Sequence, residues 1–180
     1  MPFCLKRDIN ELVDHDIQWE IIASQTIKRL WEIFGPVASD IQHIGSTSIK
    51  NIKAKPIIDI AVAVDSFENF SSLIPELENS GFSYRGWFIV DRIYVLNVYE
   101  EVTSDDRVIT HHVHIVKNDG SDWRNHIIFR DYLNAHPATA KEYETLKINL
   151  ASEHPYDVNR KNDNNGKNQF IIKTLYDANI

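Results

Sequence analysis

One carboxylate, a group of imidazoles and a glycine-led turn are the parts of this chain whose types and spacing suit chemistry. His43-Ile44-Gly45-Ser46-Thr47-Ser48 is followed by Lys55-Pro56-Ile57-Ile58-Asp59-Ile60-Ala61-Val62, and Asp59 is the only charge between Ile57 and Val64. A carboxylate in such an apolar run is costly unless something compensates it, and a cation is the natural candidate. Ser46, Thr47 and Ser48 suit the start of a helix, where unpaired N–H groups and the helix dipole favour an anion, and Gly45 lets the backbone come close to it. In this order the parts make a phosphate or metal site. Each alone also has a plain structural reading, a capped loop for the turn and a backbone acceptor for the acid.

His111, His112 and His114 fall within one segment of β-branched character, residues 108–116. Side chains alternate across a strand, so His112 and His114 share one face and His111 the other. If that strand neighbours the Asp59 strand, a carboxylate and two imidazoles converge in a set suited to a divalent transition metal. The alternative is that the imidazoles are hydrogen-bonded to a carboxylate or phosphate. His43, delivered by the strand end before Gly45, is expected to line the same pocket. His15, His126, His136 and His154 have no spacing that singles them out.

The elements that position these groups read as follows. Apolar residues near three- and four-residue spacing predict a helix over 16–34, stopped by Gly35-Pro36, with Trp31 and Phe34 in the core. Residues 37–44 read as a strand, and 57–64, apolar throughout, as a strand inside the sheet. A second helix over 66–80 is expected to kink or break at Pro75. Residues 82–90 and 93–100 form a hairpin about Asp91-Arg92, and 108–116 the next strand. Helical spacing resumes at Ser121, a candidate cap, and breaks at His136-Pro137. A helix over 138–150 follows, then the polar run 157–168, too poor in apolar groups to nucleate on its own, and a last helix over 169–176. Residues 1–15 show no clear period.

With 180 residues and 43% hydrophobic content the chain is most economically one domain, 1–180, with a helical segment from about 121. A net charge of -7 argues against general nucleic-acid binding. The single cysteine, Cys4, allows no intrachain disulfide. No apolar run reaches the roughly 18 residues of a membrane span, and no signal-peptide core follows the charged start. A cytoplasmic protein without membrane partners is expected.

These blocks, with Ala54 before Lys55, His112-Val113-His114-Ile115-Val116, Trp123, Phe129-Arg130-Asp131-Tyr132-Leu133, His136-Pro137, Ala140, Tyr143, Leu146-Lys147 and Leu150-Ala151, resemble the GrpB family of small bacterial proteins over residues 12–175. The resemblance implies an α/β (α+β) nucleotidyltransferase-like fold of the DNA polymerase beta superfamily, with a central mixed sheet flanked by helices. There a Gly-Ser turn holds nucleotide phosphates, and the next strand bears two metal-holding carboxylates two residues apart. Gly45-Ser46 matches the turn and Asp59 the first acid, but Ala61 stands where the second belongs, and Lys50-Asn51 replaces the family's usual Pro-Gly. One carboxylate holds Mg²⁺ weakly, so His112, His114 and Glu100 or Glu101 are the candidates to complete the site.

The leading expectation is a protein that transfers a nucleotidyl group or otherwise processes a phosphate-bearing small molecule. Asp59, His112 and His114 are its catalytic and metal-binding groups, with Mg²⁺ or Mn²⁺, alternatively Zn²⁺, as cofactor. His43, Gly45, Ser46, Thr47, Ser48, Lys55 and Arg130 are the phosphate-side groups, the last two supplying positive charge unless Arg130 is taken by Asp131. The competing expectations are a non-catalytic ligand-binding domain on the same fold and a transition-metal enzyme built on the His/His/Asp triad.

Overall fold

The computed structural model describes residues 5–6, 9–87, 94–101, 107–156 and 161–179. The expected turn at Asp91-Arg92, Phe88 and Cys4 lie outside them.

The first helix, α1 (Gln18–Phe34), begins where the Asp16 carboxylate accepts the Gln18 amide. It buries Trp19, Ala23, Thr26, Leu30 and Phe34 at the spacing of one helical face. Phe34 is core as expected, whereas Trp31 keeps 39% of its surface exposed because it stands off that stripe.

Six strands are seen among the described residues: β1 (Leu5–Lys6), β2 (Ala38–Ile44), β3 (Ile58–Val64), β4 (Phe82–Trp87), β5 (Tyr94–Glu101) and β6 (Arg107–Lys117). They form one mixed sheet in the order β2-β3-β6-β5-β4. β3 pairs antiparallel with β2 and parallel with β6, and β5 runs antiparallel to both β6 and β4. The short β1, in a segment without sequence period, extends the β3 side of β6 through Leu5 and Ile109. β3 is thus interior, as its unbroken run of Ile, Val and Ala requires.

The two sheet faces meet different partners. Ile58, Ile60, Val62 and Val64 pack with Trp19, Leu30, Phe34 and Phe70 in the main core. Ala61, Ile44 and Val116, on the opposite face, pack with Trp123 and Ile127 of α4 (Ser121–Ala135). The segment expected as one kinked helix is two, α2 (Phe67–Ser71) and α3 (Ile74–Asn79), with Pro75 in the first turn of α3, where its missing N–H costs nothing. Ser121 is the first residue of α4 and the N-cap position falls to Gly120, which has no side chain to cap with.

The last two helices are α5 (Pro137–Glu153) and α6 (Lys161–Ala178). α6 starts eight residues before the expected 169, so the polar run is helical where it docks; a third core of Ile49, Ile52, Leu133, Ala140 and Tyr143 takes in Phe170 of α6. The N-terminal segment ties the halves together through Asn10–Pro155 and Val13–Ala54 backbone hydrogen bonds. Among the described residues no helix is long and apolar enough to cross a membrane.

Candidate functional site

Parallel pairing of β3 with β6 places Asp59 opposite His112 and Ala61 opposite His114. The strand period turns these residues toward α4, and the two imidazoles converge on one carboxylate oxygen. His112 Nδ1 lies 3.2 Å and His114 Nε2 3.5 Å from Asp59 Oδ1. Since an ionised carboxylate only accepts, both rings donate. The side chains keep 13%, 21% and 28% of their exposure for His112, His114 and Asp59, so the cluster sits beneath the surface with the acid its most open member. Burial pushes the Asp59 carboxyl up, but the hydrogen bonds from His112 and then His114 outweigh it and hold the group well below the usual carboxylate range. The compensation that a lone acid in an apolar strand demands comes from imidazole N–H groups.

Gly45 closes one side of this cluster. Its φ is +70°, and a Cβ there would stand 2.4 Å from Asp59 Oδ2 and 2.8 Å from Asp59 Cβ, so only glycine lets the turn lie against the acid. The turn itself departs from expectation. Ser46–Ser48 is a single 3-10 turn, closed by Ser48 N–H to Gly45 O at 3.2 Å, and the next element is β3, so the turn opens no α-helix.

The other expected phosphate ligands are drawn to different places. His43 pairs with Ile60, which puts it on the α1 face, away from Asp59. Its Nε2 lies 3.0 Å from Thr47 Oγ1, which in turn donates to Ile57 O at 3.3 Å, so Thr47, 1% exposed, is a structural link. Burial lowers the His43 pKa to about 4. Ser48 Oγ donates to Gly45 O at 2.6 Å and braces the turn. Arg130 bonds Asp131, Gln42 Oε1 and the His43 carbonyl, tying α4 to β2, which is the structural alternative weighed for it. Glu100 and Glu101 pair with Val108 and Arg107, well short of His112, so the ladder register keeps them from completing the site.

Lys55 and Ser46 lead into a second group that the sequence did not announce. Ser46 Oγ lies 3.4 Å from Tyr143 Oη, and Lys147 Nζ stands 4.8 Å from the centre of the Tyr143 ring while donating to the Lys53 carbonyl. Lys147 is 2% exposed, and burial lowers its pKa to about 7, with Lys167 and Lys55 adding repulsion. Asp163 receives Lys55 at 2.8 Å and Lys167 at 2.7 Å. Two lysines therefore bond one buried aspartate, while Lys147 lies against Tyr143, whose hydroxyl meets Ser46. His126 was missed too: its ring lies 5.7 Å from that of His114. Its place at three- and four-residue spacing from Trp123 and Arg130 was the signal available.

Among the described residues no group of three or more His, Cys, Asp and Glu side chains is disposed to hold a metal ion. Each imidazole turns one nitrogen to Asp59, leaving His114 Nδ1 buried without a hydrogen-bond partner among the described residues, and Ala61, fully buried, takes the place of a second acid. The residues do not fit a metal centre built by the protein alone; any ion at Asp59 takes most of its ligands from elsewhere.

Comparison with known proteins gives the relatives of the chain. A family model described as GrpB protein matches residues 10–177. The chain is 38% identical over 167 residues to the glutamate-rich protein GrpB of Alkalihalophilus pseudofirmus, covering 91% of this chain and 92% of that one. The crystal structure of the conserved protein GrpB from Enterococcus faecalis superposes with a TM-score of 0.80 at 34% identity, covering 93% of this chain and 96% of the other. The Cid1 poly(U) polymerase with MgGTP bound gives a TM-score of 0.51 at 14% identity over 75% of this chain, which spans 42% of the polymerase. That last likeness concerns the nucleotidyltransferase-like fold alone.

Proposed function

This chain belongs to the GrpB family, and from that premise we propose that it binds a phosphate-bearing small molecule, a nucleotide first among candidates, across the Gly45-Ser46 turn. The observation that carries the reading is the Gly45–Asp59 contact: a positive-φ glycine pressed onto a carboxylate that two imidazoles orient. Such a backbone is retained where something must approach closely. Lys147, which lies over the Tyr143 ring whose hydroxyl meets Ser46, brings positive charge toward the turn and supports an anionic ligand. Mg²⁺ or Mn²⁺ enters with the ligand, since such ions are commonly held by one or two carboxylates with phosphate oxygens and water. The absent second acid favours recognition over two-metal transfer chemistry.

Calorimetric titration with nucleoside triphosphates, with and without Mg²⁺, tests the reading against Asp59→Asn. The wild-type protein binds the Mg²⁺ complex, and the variant loses about tenfold or more in affinity. Equal binding by the two proteins removes Asp59 from the site. Turnover above the variant's level would make the protein an enzyme.

A further inference from the structure

The group that best answers to a phosphate in this structure is already there, and it belongs to the chain. Asp163 is 4% exposed, and Lys55 and Lys167 reach its carboxylate at 2.7–2.8 Å, the spacing of charge-assisted hydrogen bonds. We propose that Asp163 is a built-in competitor for an anion site formed by Lys55 and Lys167, and that a phosphate of the ligand binds there by exchange with its carboxylate. This rests on the phosphate-bearing ligand proposed above and adds how its access is regulated.

Three features carry the inference. Lys55 and Lys167 both bond this one aspartate, and a phosphate, with more charge and more acceptor oxygens, answers the two ammonium groups better than one carboxylate. The turn and α6 meet at Tyr143, whose hydroxyl lies 3.4 Å from Ser46 Oγ and whose ring faces Lys147 and stacks on Phe170 of α6. Finally, Asp163 sits in the weakest part of its helix. α6 opens Lys161-Asn162-Asp163-Asn164-Asn165-Gly166, rich in poor helix formers, so its first turns depend on docking and give way at small cost. Below them, close packing of Gly166 on Leu150 and the stacking of Phe170 on Tyr143 at 5.2 Å anchor the rest of α6.

The experiment pairs calorimetry with hydrogen exchange, using inorganic pyrophosphate at low ionic strength as the probe. Asp163→Asn keeps the side-chain shape, removes the competing charge and binds pyrophosphate about tenfold tighter than wild type. In the wild-type protein, saturating pyrophosphate speeds amide exchange in the first turns of α6, the reverse of the protection that ligands ordinarily confer. Unchanged or weaker binding by a folded Asp163→Asn protein overturns the proposal, as does slower exchange or no binding by either protein. Should the variant not fold, the wild-type exchange measurement decides alone. Nucleotide affinity that depends on Asp59 while pyrophosphate affinity ignores Asp163 leaves the proposed function standing and removes this inference; the opposite pattern removes Asp59 from the ligand site and keeps the anion site at Lys55 and Lys167.

Discussion

Gly45 carries the tightest constraint of any single residue in the site. Both its φ of +70° and the 2.4 Å approach of an added Cβ to Asp59 Oδ2 oppose a side chain. Gly45→Ala is therefore expected to lose about 2 kcal/mol or more in urea unfolding and to weaken nucleotide binding with it. Unchanged stability would show that the turn relaxes freely. At this scale the sequence was informative about Asp59, His112 and His114, because one charge in an apolar strand and two imidazoles two residues apart mark a shared face. It was uninformative about Thr47, Ser48, His43 and Arg130, whose side chains are taken up by Ile57 O, Gly45 O, Thr47 and the His43 carbonyl. Residue type suited each of them to phosphate; the partner that claimed it was invisible until the chain folded.

Among the elements, α4 decides what the Asp59 face becomes. Trp123 and Ile127 press on Ala61, Ile44 and Val116, while the His126 ring stands 5.7 Å from that of His114, so α4 covers the Ala61 end of this face. Restoring the missing acid tests this closure. Ala61 is fully buried, and Ala61→Asp puts a carboxylate among apolar groups beside an imidazole. A stability loss of about 2–4 kcal/mol is expected, with no gain in Mn²⁺ affinity by calorimetry. A stable variant that binds Mn²⁺ tightly would show that the face admits a metal pair. The strands other than β1, and most helices, were legible from period and punctuation. The early start of α6 was not, because Asn-rich sequence becomes helical only once Asp163 and Phe170 have docked.

Across the whole molecule, acid is the condition to which the fold is most exposed. Burial lowers the pKa of His43, His111 and His126 to about 4 from 6.5, and these residues lie on both faces of the sheet. Each holds its proton more weakly folded than unfolded, so between pH 6.5 and 4 the unfolded chain binds more protons and stability falls as pH falls. At most about 3 kcal/mol per residue is at stake, complete once the pH is below the folded value. Denaturant midpoints measured from pH 7 to 4 should drop steeply, and His111→Gln, which loses one such group, should flatten the slope; an unaltered slope would exclude His111 from the effect. What the sequence determined by itself was most of the elements, the resemblance to the family, and the shared strand face of His112 and His114, because these follow from local period and from alternation along a strand; the β3–β6 pairing that brings Asp59 to them does not. What only the tertiary structure decided was which lone pairs and ammonium groups were already taken. The joining of Lys55 to Asp163 and of Ser46 to Tyr143 spans 108 and 97 residues of chain, and no local pattern encodes a hydrogen bond made at that separation.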